Sequence, residues 1–131
     1  YEYMRHIGDE TVKTAFNKGM SFYLNNFFLE DRTPKYYHNK TYPIDIHCPA
    51  QLVVTISKTN CLVKYHKFVQ KVLYWTIKKM QDPKGFFYYQ IKPIISTKIP
   101  YMRWAQAWMF YALCIYLNKL VLDGVKNENM D

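Results

Sequence analysis

"YPIDIHCPAQLVVTI" (Tyr42–Ile56) sets an acid, a histidine and a proline just ahead of an apolar run. Pro49 suits the first turn of a helix, where a missing N–H costs nothing. Asp45 or His47 stands where a cap is needed. The stretch predicts a helix from about Cys48 to Ser57. Further along, "IPYMRWAQAWMFYAL" (Ile99–Leu113) repeats the rhythm and predicts a helix from about Tyr101 to Leu122. Its run from Ala107 to Leu117 is apolar without a break. A helix apolar all round is expected to be buried on every side. That run is shorter than the roughly 20 residues a bilayer span requires, so no membrane span is expected.

Two amphipathic helices flank these. Val12, Ala15, Phe16, Gly19, Met20, Tyr23 and Phe27 recur at helical spacing and predict a helix from about Asp9 to Phe28. Asp9 and Glu10 fall in its first turn, where negative charge suits the helix dipole. Tyr65, Phe68, Val69, Val72, Leu73, Thr76 and Met80 form one stripe and predict a helix from about Cys61 to Gln81. A long connection, Leu29–Ile46, separates the first pair, and "KTN" is a tight turn before the third helix. "DPKG" (Asp82–Gly85) ends that helix with turn chemistry. "FFYYQIK" (Phe86–Lys92) reads as a short strand or an extended aromatic loop, and a frayed tail is expected over Gly124–Asp131. The expected fold is all-α: a single domain of two antiparallel helical hairpins with both long loops at one end. A faint internal echo supports the pairing: "NKGMSFYL" against "QKVLYWTI", and "PAQL" against "WAQA".

The chain has 131 residues, half of them apolar and 18% aromatic, which fits one domain with a modest core and excludes a disordered chain. A net charge of +8 admits an anionic partner such as nucleic acid, an acidic glycan or a lipid surface. Along the sequence the lysines stand no denser than pairs such as Lys78-Lys79, so they read as scattered solvated residues, and nucleic acid is not an expected partner. Three cysteines without a CxxC spacing argue against a disulfide framework and for a reducing, cytoplasmic setting. His47-Cys48 with His38, Cys61 and His66 matches no zinc spacing, so no metal is expected. There is no Gly-rich phosphate loop and no nucleophile elbow, and no cofactor is expected.

"YPIDIHCPAQ" together with "GFFYYQ…IPYMRWAQAWMFYAL" resembles the six-hairpin, or (α/α)6-toroid, class of carbohydrate-active proteins, in particular uncharacterised members associated with bacterial polysaccharide metabolism. The likeness runs from about Thr11 to Leu120 and is most specific in "PYMRWAQAWM" (Pro100–Met109). It implies a fragment of an α/α toroid, with a saccharide site at the mouth near the N-terminal ends of the inner helices. That is where Asp45, His47, Tyr101, Arg103 and Trp104 fall. A complete toroid has six hairpins, and this chain has two. The resemblance therefore implies either a terminal piece of a longer protein or a shortened relative.

Asp45 lies between apolar residues, where desolvation raises a carboxyl pKa for acid work. The other reading is a helix cap or a salt bridge to Arg103. His47 is a candidate base for a lyase or epimerase step, or the donor of a structural hydrogen bond. Glycoside hydrolysis usually needs two carboxylates, and the other loop acids at that end, Asp31 and Asp82, look like turn residues. Arg103 suits a sugar carboxylate or phosphate. Trp104, Tyr101 and Tyr42 are candidates to stack on a sugar ring, whereas Trp108 is expected in the core. Gln51 and Gln106 occupy matching places and need partners, either each other or a loop carbonyl. The expected partner is a saccharide. The rival expectation is a non-catalytic module that self-associates or docks on a larger partner through exposed helix flanks.

Overall fold

Asp9 begins the first long helix: its Oδ1 accepts the N–H of Thr11 at 2.8 Å and of Val12 at 3.4 Å, filling donors that a helix start leaves open. In the computed structural model, which describes residues 1–122, that helix is the second of five. The order is α1 (Glu2–Ile7), α2 (Glu10–Asn26), β1 (Ile44–Asp45), α3 (His47–Lys58), α4 (Leu62–Met80), β2 (Gln90–Ile91) and α5 (Ala107–Leu122). A π-helical turn, Met102–Gln106, leads into α5; there the Gln106 N–H reaches the Tyr101 carbonyl, five residues back, at 3.1 Å. The frayed tail expected over 124–131 lies outside the described residues.

The chain is mostly helical. It is not purely so, because β1 and β2 pair antiparallel, with Ile44 opposite Ile91 and Asp45 opposite Gln90. The pair is too short to leave an alternating pattern in the sequence. Helix α1 also carried no signal, since none of its residues is buried.

α3 is the central element. Ala50, Leu52, Val53 and Ile56 are fully buried, and the helix packs against both α5 and α4. α4 contributes Leu62, Val69, Val72, Leu73 and Met80, an apolar stripe at helical spacing. Thr76 joins that stripe by donating its hydroxyl to the Val72 carbonyl at 2.8 Å. α2 buries only Met20 and Leu24 and lies outermost.

Cross-links set the directions. Asn60 turns the chain between α3 and α4 at φ 52°. α3 and α5 run side by side in the same sense: His47 and Trp108 line one cavity near their starts, while the Lys119 ammonium donates to Asn60 Oδ1 at 2.9 Å near their ends. α4 runs the opposite way. His66 near its start meets Tyr116 near the end of α5, with 3.1 Å between Nε2 and the phenol oxygen and the rings stacked. β1 belongs to the first long connection and β2 to the second, so both connections meet beside the starts of α3 and α5.

The expectation that the last helix is buried on every side is overturned. α5 buries only Met109, Ala112 and Tyr116; Phe110 is 70% exposed and Val121 is 81% exposed. One face packs against α3, and no described element covers the other. Met102–Leu122 forms 21 continuous helical residues, long and apolar enough to cross a membrane by length and composition alone. The core helix of a globular protein passes the same test, so this is weak grounds for a span.

Candidate functional site

The start of α3 is organised by one carboxylate. Asp45 is buried, and its Oδ1 accepts the first backbone N–H of α3, from His47, at 2.9 Å. The same oxygen stands 2.6 Å from His47 Nδ1. Oδ2 accepts from the Gln90 amide nitrogen, also at 2.6 Å. Charge-assisted bonds of this length are the strong kind. The anticipated bridge from Asp45 to Arg103 does not form. Strand register places Gln90 opposite Asp45 and fills the position, while Arg103 is exposed and makes no ion pair or hydrogen bond among the described residues. A carboxylate against Nδ1 fixes the ring's proton there and leaves Nε2 as the free nitrogen. The His47 side chain is 40% exposed, so that nitrogen is accessible.

Aromatic rings continue from this pair. Tyr89 meets His47 edge-on at 6.4 Å between centroids, Tyr101 at 5.2 Å and Trp104 at 6.3 Å. Tyr101 and Trp104 are 5.6 Å apart. The structure therefore gathers four of the six sequence candidates, Asp45, His47, Tyr101 and Trp104, through a residue the sequence did not single out. Tyr89 was hidden in a run of four aromatics, and only pairing with β1 selects it. Its phenol is pushed up by burial first, then by the Asp45 charge, so it stays a proton donor. Tyr42 is exposed and takes part in none of these ring contacts.

On its other side His47 lines a cavity of ≈ 390 Å³, with Tyr23, Phe27, Tyr36, Cys48 and Trp108 in its wall. Trp108, expected in the core, is half-buried here. Burial, helped by the Asp45 charge, pushes the Cys48 thiol up to about 11. Burial likewise raises Tyr23, with Cys48 adding to the effect. Both groups stay neutral near pH 7. That argues against Cys48 as a thiolate nucleophile.

Among the described residues no second carboxylate joins Asp45. Asp31 accepts from the Thr33 N–H and hydroxyl, which hold it low. Asp82 is held low by the Lys84 N–H first and the Tyr88 hydroxyl second. Both are turn residues in form. Gln106 clamps the backbone of Phe87 at both ends, accepting its N–H at 2.9 Å and donating to its carbonyl at 2.6 Å. Gln51 instead reaches only Thr55, along its own helix, at 3.0 Å. Among the described residues no three of His, Cys, Asp and Glu gather around a metal position.

The lysines are less scattered than the linear sequence suggested. α4 carries Lys64, Lys67, Lys71, Lys78 and Lys79 and no acid. Steps of three, four and seven residues put the first four on one helical face. The same face borders a groove of ≈ 570 Å³ that Lys71 and Lys78 line with Arg32, Tyr74 and Trp75.

No protein-family model, curated protein or solved structure significantly matches the chain.

Proposed function

We propose that the chain is a carbohydrate-related domain of the six-hairpin type, two outer-to-inner helix pairs (α2 with α3, α4 with α5) of an α/α toroid, working in bacterial polysaccharide biosynthesis or processing in the cytoplasm. Its saccharide site is the rim where the two long connections meet. The observation that carries this reading is the Asp45–His47 pair, at 2.6 Å, set against the ring group of Tyr89, Tyr101 and Trp104. An exposed Trp104 and two half-buried tyrosines beside an oriented polar pair suit a sugar, whose C–H faces stack while its hydroxyls bond. Arg103, exposed and without an ion pair among the described residues, lies on the adjoining turn and suits a carboxylate or phosphate on the sugar. With one carboxylate at hand, hydrolysis by an acid–base pair is disfavoured. Proton transfer at His47 Nε2, of lyase or epimerase type, is the chemistry the residues support. Titration of acidic oligosaccharides, followed by heat or by amide shifts, tests the reading. Binding that Arg103→Ala or Trp104→Ala weakens about tenfold or more is the expected result; no binding by the wild-type chain ends it.

A second reading rests on α5. Ala107, Phe110, Cys114, Leu117 and Val121 are exposed and follow steps of three, four, three and four, the spacing of a coiled-coil seam. It makes the chain a self-associating module. A mass measurement by light scattering separates the two, because a monomer at high concentration removes this reading and leaves the saccharide site untouched.

A further inference from the structure

The hairpin loop beyond β2 is built as a projection. Gln90 and Thr97 close its neck with paired backbone bonds, Thr97 N–H to the Gln90 carbonyl at 2.8 Å and Gln90 N–H to the Thr97 carbonyl at 3.1 Å. The neck is anchored to the interior, since the Gln90 side chain also holds Asp45. At the tip stand two adjacent isoleucines: Ile94 is 94% exposed and Ile95 is 75% exposed, next to Pro93. Ile99 and Met102 add exposed apolar surface on the return segment. A loop with a bonded neck that holds its largest apolar residues in water has no folding reason to do so.

Cations predominate around this tip, and the one carboxylate close to them among the described residues is Asp82, which bonds the Tyr88 hydroxyl and is held low first by the Lys84 N–H and in part by Lys98. Lys92, Lys98 and Arg103 are exposed within a few residues of it, and Lys98 Nζ lies 5.1 Å from the centre of the Tyr88 ring. From Pro83 to Leu122 the chain has no Asp or Glu. Over residues 46–122 it carries eleven Lys or Arg against one Asp. Trp104 and Tyr101, at the base of the same segment, are residues suited to the headgroup layer, where one end is apolar and the other wet.

We infer that the segment from Lys92 to Trp104 docks the protein on an anionic lipid surface, with Ile94 and Ile95 entering the acyl boundary and Lys92, Lys98 and Arg103 resting among the headgroups. Complementary charge and an apolar tip are the two signals that stable but reversible membrane attachment needs together. A bilayer accepts an isolated apolar tip without the shape complementarity a protein groove would have to supply. The inference shares Arg103, Tyr101 and Trp104 with the saccharide reading; what is particular to it is the tip at Ile94 and Ile95, which the sugar site does not use.

Flotation of the full chain with vesicles tests it. Phosphatidylcholine vesicles containing phosphatidylserine should carry the protein, phosphatidylcholine alone at least about tenfold less, and raised salt should release it. Ile94→Asp with Ile95→Asp, both on exposed loop positions, should abolish flotation while the circular dichroism of the helices stays unchanged. Lys92→Glu with Lys98→Glu should lose the preference for the anionic lipid. Three results would overturn the inference: no flotation with either vesicle, flotation of the isoleucine variant equal to wild type, or flotation lost only when Lys64 and Lys71 of α4 are replaced by Glu.

Discussion

α3 and α5 lie next to each other and run the same way, yet they are used in opposite fashion. α5 is the more apolar sequence, with Asn118 and Lys119 its only strongly polar residues, and it leaves Phe110, Leu117, Val121 and Leu122 in water. α3 carries His47, Gln51, Thr55, Ser57 and Lys58 and still buries Leu52, Val53 and Ile56 completely. Position explains the difference. α3 stands between α4 and α5, and the β1–β2 pair closes over its start, whereas α5 packs mainly on α3, meets α4 at Tyr116 and His66, and leaves its other face open among the described residues. Composition tells how apolar a helix is; neighbours decide how much of it leaves water.

The sharpest way to break that contrast is to make one chemical change in both helices. Leu52→Ala empties a fully enclosed site and should cost about 2–5 kcal/mol of unfolding free energy. Leu117→Ala trims an exposed side chain and should cost less than about 0.5 kcal/mol in dilute solution. Urea denaturation at low protein concentration measures both. Equal losses would mean that the α5 face is covered in solution. A loss at Leu117 that grows with protein concentration would point to a second copy as the cover.

Next in size is Asp45→Ala. It removes the acceptor for the His47 N–H, the His47 ring and the Gln90 amide together. About 2–4 kcal/mol is expected, since bonds to a charged group are worth more than neutral ones and buried donors are left unmet. The Gln90 amide resonances should lose their downfield positions in the same variant. Unchanged Gln90 signals would show that the two long connections are held together by something other than this carboxylate.

Much of this architecture can be read in the chain. Of the α4 stripe, Val69, Val72, Leu73, Thr76 and Met80 are buried and Tyr65 and Phe68 partly so, because a long amphipathic helix repeats its signal at every turn. The helix start near Asp9 and the turns at Asp31 and Asp82 rest on local chemistry and are equally legible. The rest was hidden for physical reasons. Two-residue strands have no period, and they exist only because distant loops meet. Tyr89 becomes central through that meeting alone. The choice of Gln90 over Arg103 as the partner of Asp45 follows from register, which no single segment encodes. The α4 lysines look scattered when counted along the chain and gather only on a helical projection.

The matching glutamines offer a smaller test of the same contrast. Gln106→Ala leaves the Phe87 N–H and carbonyl without the partners they have now and should cost about 1–3 kcal/mol. Gln51→Ala gives up one exposed contact to Thr55 and should cost less than about 0.5 kcal/mol. Thermal melts of the two variants side by side suffice. If the two costs were equal, the helix starts would be equivalent in energy as well as in sequence.

The smallest effect concerns Cys48 in α3 and Cys114 in α5, and it is invisible at neutral pH. Cys114 is exposed and Cys48 is half-buried, so iodoacetamide should label Cys114 first and reach Cys48 chiefly after unfolding. The Cys48 thiol carries a folded pKa of about 11, above its unfolded value of 9.0. The folded chain therefore keeps that proton longer than the unfolded chain does. The stabilisation this supplies is complete below pH 9 and drains away as pH rises toward 11. Cys48→Ala removes that drain, so its stability should fall less steeply than wild type between those values, while Cys114→Ala should follow the wild-type curve. Parallel curves for Cys48→Ala and wild type would show that the thiol is not desolvated, and with it that the wall beside His47 is wetter than its apolar lining implies.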